Sequence, residues 1–78
     1  MNYSKIAYLG MLNQYSKYEL IEKLKGYVIH QVHAEFNSEI IRFQGDGVII
    51  DIRFDLFGKF IRIEGEKWLN PPMEYRVN

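Results

Sequence analysis

The stretch IIRFQGDGVIIDIRFDLFGKFIRI, residues 40–63, predicts the centre of an antiparallel β-meander. Within it an apolar row alternates with more polar positions, and this period of two places one row inward and the charges outward. The apolar row consists of Val48, Ile50, Ile52 and Phe54. The dipeptide Asp46-Gly47 is typical of a two-residue hairpin turn in which both residues need positive φ. This turn sets Gly45 opposite Val48.

Two further turns extend the register to the neighbouring strands. We expect a two-residue loop at Phe57-Gly58, which sets Leu56 opposite Lys59, and another at Asn37-Ser38. The three turns together put apolar residues on one common face, and a slip of one residue at any turn would move a strand's inward row to the wrong face. The predicted apolar pairs are Phe43–Ile50, Ile41–Ile52, Phe54–Ile61, Ile52–Ile63, Ala34–Ile41 and Val32–Phe43.

These patterns predict an α+β fold with one or two N-terminal helices packed on one face of a four-stranded antiparallel β-meander. The strands are expected at 27–36, 39–44, 48–55 and 59–68. Seventy-eight residues make one small domain, with a helical N-terminal part at 4–25, a meander at 27–68 and an extended tail at 69–78. The inward row of the first strand is predicted to be Val28, His30, Val32, Ala34 and Phe36.

A helix is predicted to begin after Ser16, because Ser16-Lys17-Tyr18-Glu19 matches a capping box. Its apolar stripe is Leu20, Ile21 and Leu24, and Gly26 is expected to end it in a left-handed conformation. Residues 4–12 fit either a short helix capped by Ser4 or an extended edge segment. The tail beyond Pro71-Pro72 fits either a docked segment or a flexible arm.

Composition narrows the classes of function. The chain has no cysteine and only two histidines, so we expect no disulfide, no metal site and no cofactor. Ten basic and ten acidic residues cancel, which argues against a nucleic-acid or acidic-membrane binder. No apolar run approaches the roughly 20 residues of a membrane span. We therefore expect a cytoplasmic protein without a membrane segment.

The outer face of the predicted sheet holds the candidate site. The register gives one row of His33, Arg42, Asp51 and Glu64, and a second of Glu35, Ile40, Arg53 and Arg62. Apolar residues are expected on the same face, namely Ile29, Ile40, Ile49, Phe60 and Trp68. Arginines beside exposed apolar groups have the composition of an interface. The candidate binding residues are His33, Arg42, Asp51, Arg53, Phe60, Arg62 and Trp68.

The same face has a simpler interpretation as a solvated surface. In this interpretation Arg42 pairs with Asp51 directly and Arg53 pairs with Glu64 diagonally. Each pair contributes about 0–1 kcal/mol to stability. An enzyme needs a nucleophile with a base, a carboxylate pair in a cleft or a metal, and the sequence displays none of these. His30 is expected to be a histidine at the rim of the core.

The sequence therefore favours a small non-catalytic binding protein, an inhibitor or regulator that engages a protein partner through its outer sheet face. The first alternative is an oligomeric small-molecule or nucleotide binder with an arginine-lined pocket between subunits. The second alternative is a single-stranded nucleic-acid binder that uses Phe60 with Arg53 and Arg62. In size and in its Tyr-, Asn-, Lys- and Ile-rich composition, the chain resembles small accessory proteins of phages and mobile elements of AT-rich bacteria.

Self-association is predicted from the first strand. A bare strand edge invites a second copy unless proline, lysine or another charge blunts it. Residues 27–36 contain no proline, no lysine and only Glu35 as a residue charged at neutral pH. Three segments can cover this edge: the N-terminal segment, the tail at residues 73–77, or the same strand of a second copy paired about a two-fold axis. Of these we expect the second copy, and so a homodimer.

Overall fold

The computed structural model describes residues 9–69, which form two helical segments and four strands. In chain order these are a 3₁₀-helix at Leu9–Gln14, α1 at Lys17–Lys23, β1 at Val28–Ala34, β2 at Ser38–Gly45, β3 at Val48–Asp55 and β4 at Phe60–Trp68. The strands pair antiparallel in the order β1-β2-β3-β4, which confirms the α+β class and the meander. The predictions for residues 4–8 and for the tail from residue 70 lie outside the described residues.

The start of α1 follows from its capping box. The Ser16 Oγ accepts from the Glu19 N–H at 3.2 Å, and the Glu19 Oε1 accepts from the Ser16 N–H at 3.0 Å. Two of the amides left free at a helix start thereby gain partners, as predicted. Gly26 has a φ of 92°, in the left-handed region that glycine tolerates. The Lys17 N–H also donates to the Gly58 carbonyl at 2.8 Å, which ties α1 to the turn between β3 and β4.

The hairpin between β2 and β3 agrees with the sequence. Asp46 and Gly47 have φ values of 51° and 79°, so both central residues occupy the positive-φ region that this turn needs. Gly45 lies opposite Val48, and the ladder continues without interruption to Ser38 opposite Asp55. The predicted pairs Phe43–Ile50 and Ile41–Ile52 are therefore confirmed.

The turn between β3 and β4 is one residue longer than predicted. Asp55 Oδ1 accepts from the amides of Phe57 and Lys59, both at 2.8 Å, and Gly58 takes a φ of 82°. The loop thus comprises Leu56, Phe57 and Gly58, closed by the Asp55 N–H donating to the Lys59 carbonyl.

This longer turn changes the start of the β3–β4 ladder. Phe54 lies opposite Phe60, so the predicted pair Phe54–Ile61 is wrong. Ile61 is the surplus residue of a β-bulge, and this bulge restores the predicted pair Ile52–Ile63. A second bulge leaves Glu64 unpaired, so Gly65 takes the place opposite Asp51 that Glu64 was expected to take.

The β1–β2 register differs from the prediction for two reasons. Glu35 donates its N–H to the Ser38 carbonyl at 2.8 Å, so the loop is Phe36-Asn37 instead of Asn37-Ser38. A bulge between Gln31 and His33 then shifts the ladder by one further residue. The observed pairs are Val28–Gln44, Ile29–Phe43, His30–Arg42, Gln31–Ile41, His33–Ile40 and Ala34–Glu39.

Because of the bulge, each residue in the N-terminal half of β1 lies on the opposite face of the sheet from the one predicted. Ile29 lies opposite the buried Phe43 and packs against the core, whereas Val28 is 51% exposed. His30 is exposed and lies beside Arg42, so it is not a core-rim histidine. Phe36 belongs to the turn and is 99% exposed, because the strand ends before it.

Among the described residues, nine buried apolar side chains form one core cluster. It unites three residues of the helical segments with the inward rows of β2 and β3. The nine are Leu12, Leu20, Leu24, Ile41, Phe43, Val48, Ile50, Ile52 and Phe54. Burial of side chains of this kind stabilises a fold by about 1.5–3 kcal/mol each. The outer face of the sheet is the surface formed by the residues that alternate with these rows.

Within residues 9–69, none of the helical segments has the length and apolarity needed to cross a membrane.

Candidate functional site: the outer face of the sheet

Three cross-strand rows define the outer face. Residues directly opposite each other in antiparallel strands place their side chains on the same face, so the register fixes the members of each row. The rows are Val28–Gln44–Ile49–Lys67, His30–Arg42–Asp51–Gly65 and His33–Ile40–Arg53–Arg62. This face therefore brings together Arg42, Asp51, Arg53, Arg62 and His33 among the candidate residues.

Arg42 and Asp51 form a bidentate pair at the centre of this face. The Arg42 Nε lies 2.9 Å from Asp51 Oδ1, and Nη2 lies 3.1 Å from Oδ2. The fork of the guanidinium thus matches both carboxylate oxygens. The hydrogen bonds that Arg42 donates to Asp51, and then the negative charge of Asp51, raise the pKa of Arg42 above its ordinary value. Because the two side chains are 40% and 22% exposed, solvent screens the attraction.

Arg53 is the most enclosed charge of the face, with a side chain only 12% exposed. Its Nε lies 3.2 Å from Glu64 Oε2, and its Nη1 donates to the Ser38 Oγ at 2.6 Å. Glu35 Oε1 lies 3.4 Å from the same Nη1. The hydrogen bond with Glu64 is the main cause that raises the pKa of Arg53. Arg53 therefore joins β2, β3 and β4 through side-chain contacts.

Glu64 is shared by two arginines. Its Oε2 accepts from Arg53 Nε and, at 2.6 Å, from Arg62 Nε. The hydrogen bond with Arg53, more than the one with Arg62, lowers the pKa of Glu64 below its ordinary value. Glu64 reaches both partners although its backbone lies in a bulge instead of opposite Asp51. The diagonal Arg53–Glu64 pair of the simpler interpretation is therefore present.

His33 lies one row away from its expected place. It is opposite Ile40 instead of Arg42, and its Nε2 lies 3.3 Å from Glu35 Oε1. Since Glu35 also contacts Arg53, His33 belongs to the charged group around Arg53 and not to the Arg42–Asp51 pair. Its side chain is 55% exposed, as an ordinary surface histidine is.

Phe60 and Trp68 do not lie on the outer face, and this corrects their assignment. Phe60 is opposite the buried Phe54, with ring centroids 6.5 Å apart and an interplanar angle of 84°. Trp68 is opposite the buried Val48, and its Nε1 donates to Glu66 Oε2 at 2.8 Å. Both pack against the core. The bulges at positions 61 and 64 cause the error, because each reverses the alternation along β4.

The apolar part of the face is smaller than predicted, because Ile29, Phe60 and Trp68 do not belong to it, and one of its aliphatic members was missed. Ile40 and Ile49 lie on it and are half-buried, whereas Ile29 is turned inward. Val28 is the missed member, since it lies on the outer face in the same cross-strand row as Gln44, Ile49 and Lys67. No feature of the sequence marks the β1 bulge that turns Val28 outward.

A shallow depression of about 240 Å³ is lined by the Arg42–Asp51 pair, Ile49, Gly65, Glu66 and Lys67. Gly65 leaves space there because nothing lies within 4 Å of where its Cβ would be. The depression presents the paired charges of Arg42 and Asp51, the charged side chains of Glu66 and Lys67, and one aliphatic side chain. Across the described part of the chain, no group of three His, Asp or Glu side chains is placed to hold a metal ion.

Comparison of the chain with protein-family models, with curated proteins and with solved structures found no match in any of the three.

Proposed function

We propose that this protein is a small non-catalytic binding protein, an inhibitor or regulator in the cytoplasm that engages a protein partner through the outer face of its sheet. The N-terminal helical segments cover the opposite face in this proposal, because their buried residues Leu12, Leu20 and Leu24 all belong to the core cluster. The outer face is then the broad surface left for a partner.

The observation that carries the proposal is the set of preformed charge pairs around the half-buried Ile40 and Ile49. Arg42–Asp51 and Arg53–Glu64 hold their side chains in defined positions before any partner arrives. Fixed side chains lose less conformational freedom on binding than free ones. Paired charges of both signs beside aliphatic groups also favour the polar, register-defining contacts of a protein interface.

The nucleotide-binding alternative receives less support. It requires arginines that can offer free donors to an anion, yet Arg42, Arg53 and Arg62 each contact a carboxylate of the protein. A phosphate would have to compete with Asp51 or Glu64 for these guanidinium groups. The single-stranded nucleic-acid alternative relied on an exposed Phe60 ring for base stacking, and that ring packs against Phe54.

Affinity capture with a matched pair of variants tests the proposal. Ile49→Glu changes the outer face but places the new carboxylate opposite Lys67, so the fold should be retained. Met11→Glu makes the same kind of change in the 3₁₀-helix, where Met11 is 49% exposed. The wild type and Met11→Glu should retain the same bacterial protein on the resin, and Ile49→Glu should not.

Two results would contradict the proposal. One is retention of the same protein by Ile49→Glu, and the other is a wild type that captures nothing beyond the empty resin. Thermal denaturation with a panel of nucleotides distinguishes the proposed protein-binding function from the nucleotide-binding alternative. We expect an unchanged Tm, whereas a ligand-dependent rise would favour nucleotide binding, since a ligand that binds only the native state stabilises it.

A further inference from the structure

Among residues 11–69, the most exposed apolar side chains lie in turns and at the start of α1. Phe36 is 99% exposed in the β1–β2 turn, and Phe57 and Leu56 are 82% and 68% exposed in the β3–β4 turn. Tyr18, at the start of α1, is 62% exposed. We call these four residues the turn patch. The predicted register did not bring them together, since it treated Phe36 as an inward strand residue.

Several contacts show that the turn patch occupies one end of the sheet. Phe36 and Leu56 line the same depression of about 110 Å³. The Lys17 N–H donates to the Gly58 carbonyl at 2.8 Å, which holds the neighbouring Tyr18 beside the second turn. A Cβ on Gly58 would lie 2.8 Å from Tyr18 Cε2, so the ring rests closely on this glycine.

Both turns are held rigidly by hydrogen bonds. Asp55 Oδ1 accepts two amides of the β3–β4 turn at 2.8 Å, and the Gly58 N–H donates to the Asp55 carbonyl at 3.0 Å. The β1–β2 turn is closed by the 2.8 Å bond from Glu35 to Ser38. Phe36 and Phe57 therefore project from ordered backbone. Such preorganised aromatic groups are typical of residues that dominate binding energy at interfaces.

The size of the patch fits contact with a second copy of the chain. Aromatic side chains bury about 150–250 Å² each, so the exposed fractions leave roughly 500 Å² of accessible apolar area on one copy. Two copies joined patch to patch would bury about 1,000 Å², which is near the lower size of a specific protein interface. An apolar area of this size on one small domain is at the upper end for a monomer.

The charges around the patch suit a two-fold contact. Lys17 is paired with Glu39, so neither adds a free charge. Lys59 and Glu35 lie at the rim with opposite signs, and both are exposed, although Glu35 Oε1 already contacts Arg53 and His33 of its own chain. A two-fold axis through the patch can bring Lys59 of one copy towards Glu35 of the other, because an isologous contact presents the same surface twice.

We propose that the protein forms a homodimer through the turn patch. The β1 edge is the competing surface, and it is less suitable than the sequence suggested. β1 has seven residues, and a bulge between Gln31 and His33 interrupts it. A bulge twists an edge strand away from flat pairing with another strand. This proposal does not depend on the partner proposed for the outer face.

Sedimentation velocity across the micromolar range tests the proposal with two matched double variants. Phe36→Ser with Phe57→Ser removes the two most exposed rings, and Val28→Ser with Val32→Ser makes the same change at exposed positions of β1. The wild type and the β1 variant should approach twice the 9.3 kDa chain mass. The turn variant should dissociate at least about tenfold more readily, as loss of a strong contact residue implies.

Circular dichroism checks that each variant is folded, and Tyr18→Ser with Leu56→Ser provides a second change to the same patch. A wild type that sediments as one chain at every concentration overturns the proposal. So does a mass that rises beyond two chains without a plateau, because it indicates non-specific aggregation. Folded turn variants that remain dimeric also overturn it, and loss of the dimer only in the β1 variant would assign the contact to the β1 edge.

Discussion

Replacement of Phe60 by alanine distinguishes the observed β4 register from the regular one that alternation predicts. Phe60 is half-buried against Phe54, whereas Ile61 is a bulge residue with 41% exposure. A fully buried Phe→Ala change costs about 3–5 kcal/mol, so we expect about 2 kcal/mol for Phe60→Ala. Ile61→Ala should cost about 0.5–1 kcal/mol, close to the values for surface positions.

Thermal and urea denaturation followed by circular dichroism measure both changes. For a domain of this size, about 1 kcal/mol corresponds to roughly 4–8 °C in Tm, so Phe60→Ala should lower Tm by about 8–16 °C. In a regular ladder Ile61 would be the buried partner of Phe54, and its truncation would cost about 2–5 kcal/mol. A larger loss for Ile61→Ala than for Phe60→Ala would therefore refute the bulge.

A double-mutant cycle adds a direct test of the ring contact. The variants Phe54→Leu, Phe60→Leu and their combination isolate the interaction between the two rings. The edge-to-face geometry predicts a coupling of about 0.5–1.5 kcal/mol. Additive losses would show that the two rings do not contact each other in solution.

Three further predictions follow from individual residues. Ile52→Asp should unfold the protein, seen as loss of its circular dichroism signal, because Ile52 is fully buried and the new carboxylate would have no partner. Ser16→Ala should lower the free energy of unfolding by about 0.5–2 kcal/mol in urea titrations, because the Glu19 amide loses its acceptor. Glu64→Gln should reduce the loss of Tm on acidification. The arginines hold the pKa of Glu64 below its ordinary value of 4.5, so its contribution is fully present above that pH and is lost as the pH falls through the lower, folded-state value. If Glu64→Gln left the fall of Tm with decreasing pH unchanged, the lowered pKa of Glu64 would not contribute to stability and the prediction would be wrong.

The parts of the fold that the sequence predicted are those in which a local signal determines the geometry. Asp46-Gly47 combines two positive φ values with alternating apolar residues on both sides, and the β2–β3 register follows directly. The Ser16–Glu19 box likewise needs only residues close in sequence. These signals do not depend on the rest of the molecule, so the structure reproduces them.

The errors all arise where the chain departs from strict alternation. An Asp at the first position of the β3–β4 turn accepts two amides and favours a three-residue loop, and that signal was present in Asp55. The bulges at Val32 and Ile61 left no equivalent signal, because Val and Ile fit either face of a strand, and nothing in the sequence marked the bulge at Glu64. Each bulge reverses the faces beyond it, which is why Phe60, Trp68 and Ile29 were misplaced.

The predicted pairs Arg42–Asp51 and Arg53–Glu64 are present although the register was partly mispredicted, and this has a physical reason. Arg42 and Asp51 face each other across the one regular ladder, so their pairing followed from the turn at Asp46-Gly47. Arg53 reaches Glu64 because both side chains are long enough to span the altered register. Short or rigid side chains such as His33 and Phe60 cannot adapt in this way, and their neighbours changed.

The Ile61 bulge also means that the length of β4 is not fixed by its pairing. Ile61 has no residue opposite it, while Phe60 and Arg62 on either side already face Phe54 and Arg53. Deletion of this single position would remove the first of the two bulges in β4, keep the second at Glu64, and leave every pair in β4 with its present partner. A loss of one residue here is thus compatible with the same core, whereas a deletion inside β3 would reverse its apolar row. The chain can therefore vary in length at position 61, and the change would alter the curvature of β4 near Arg62 without altering which side chains are buried.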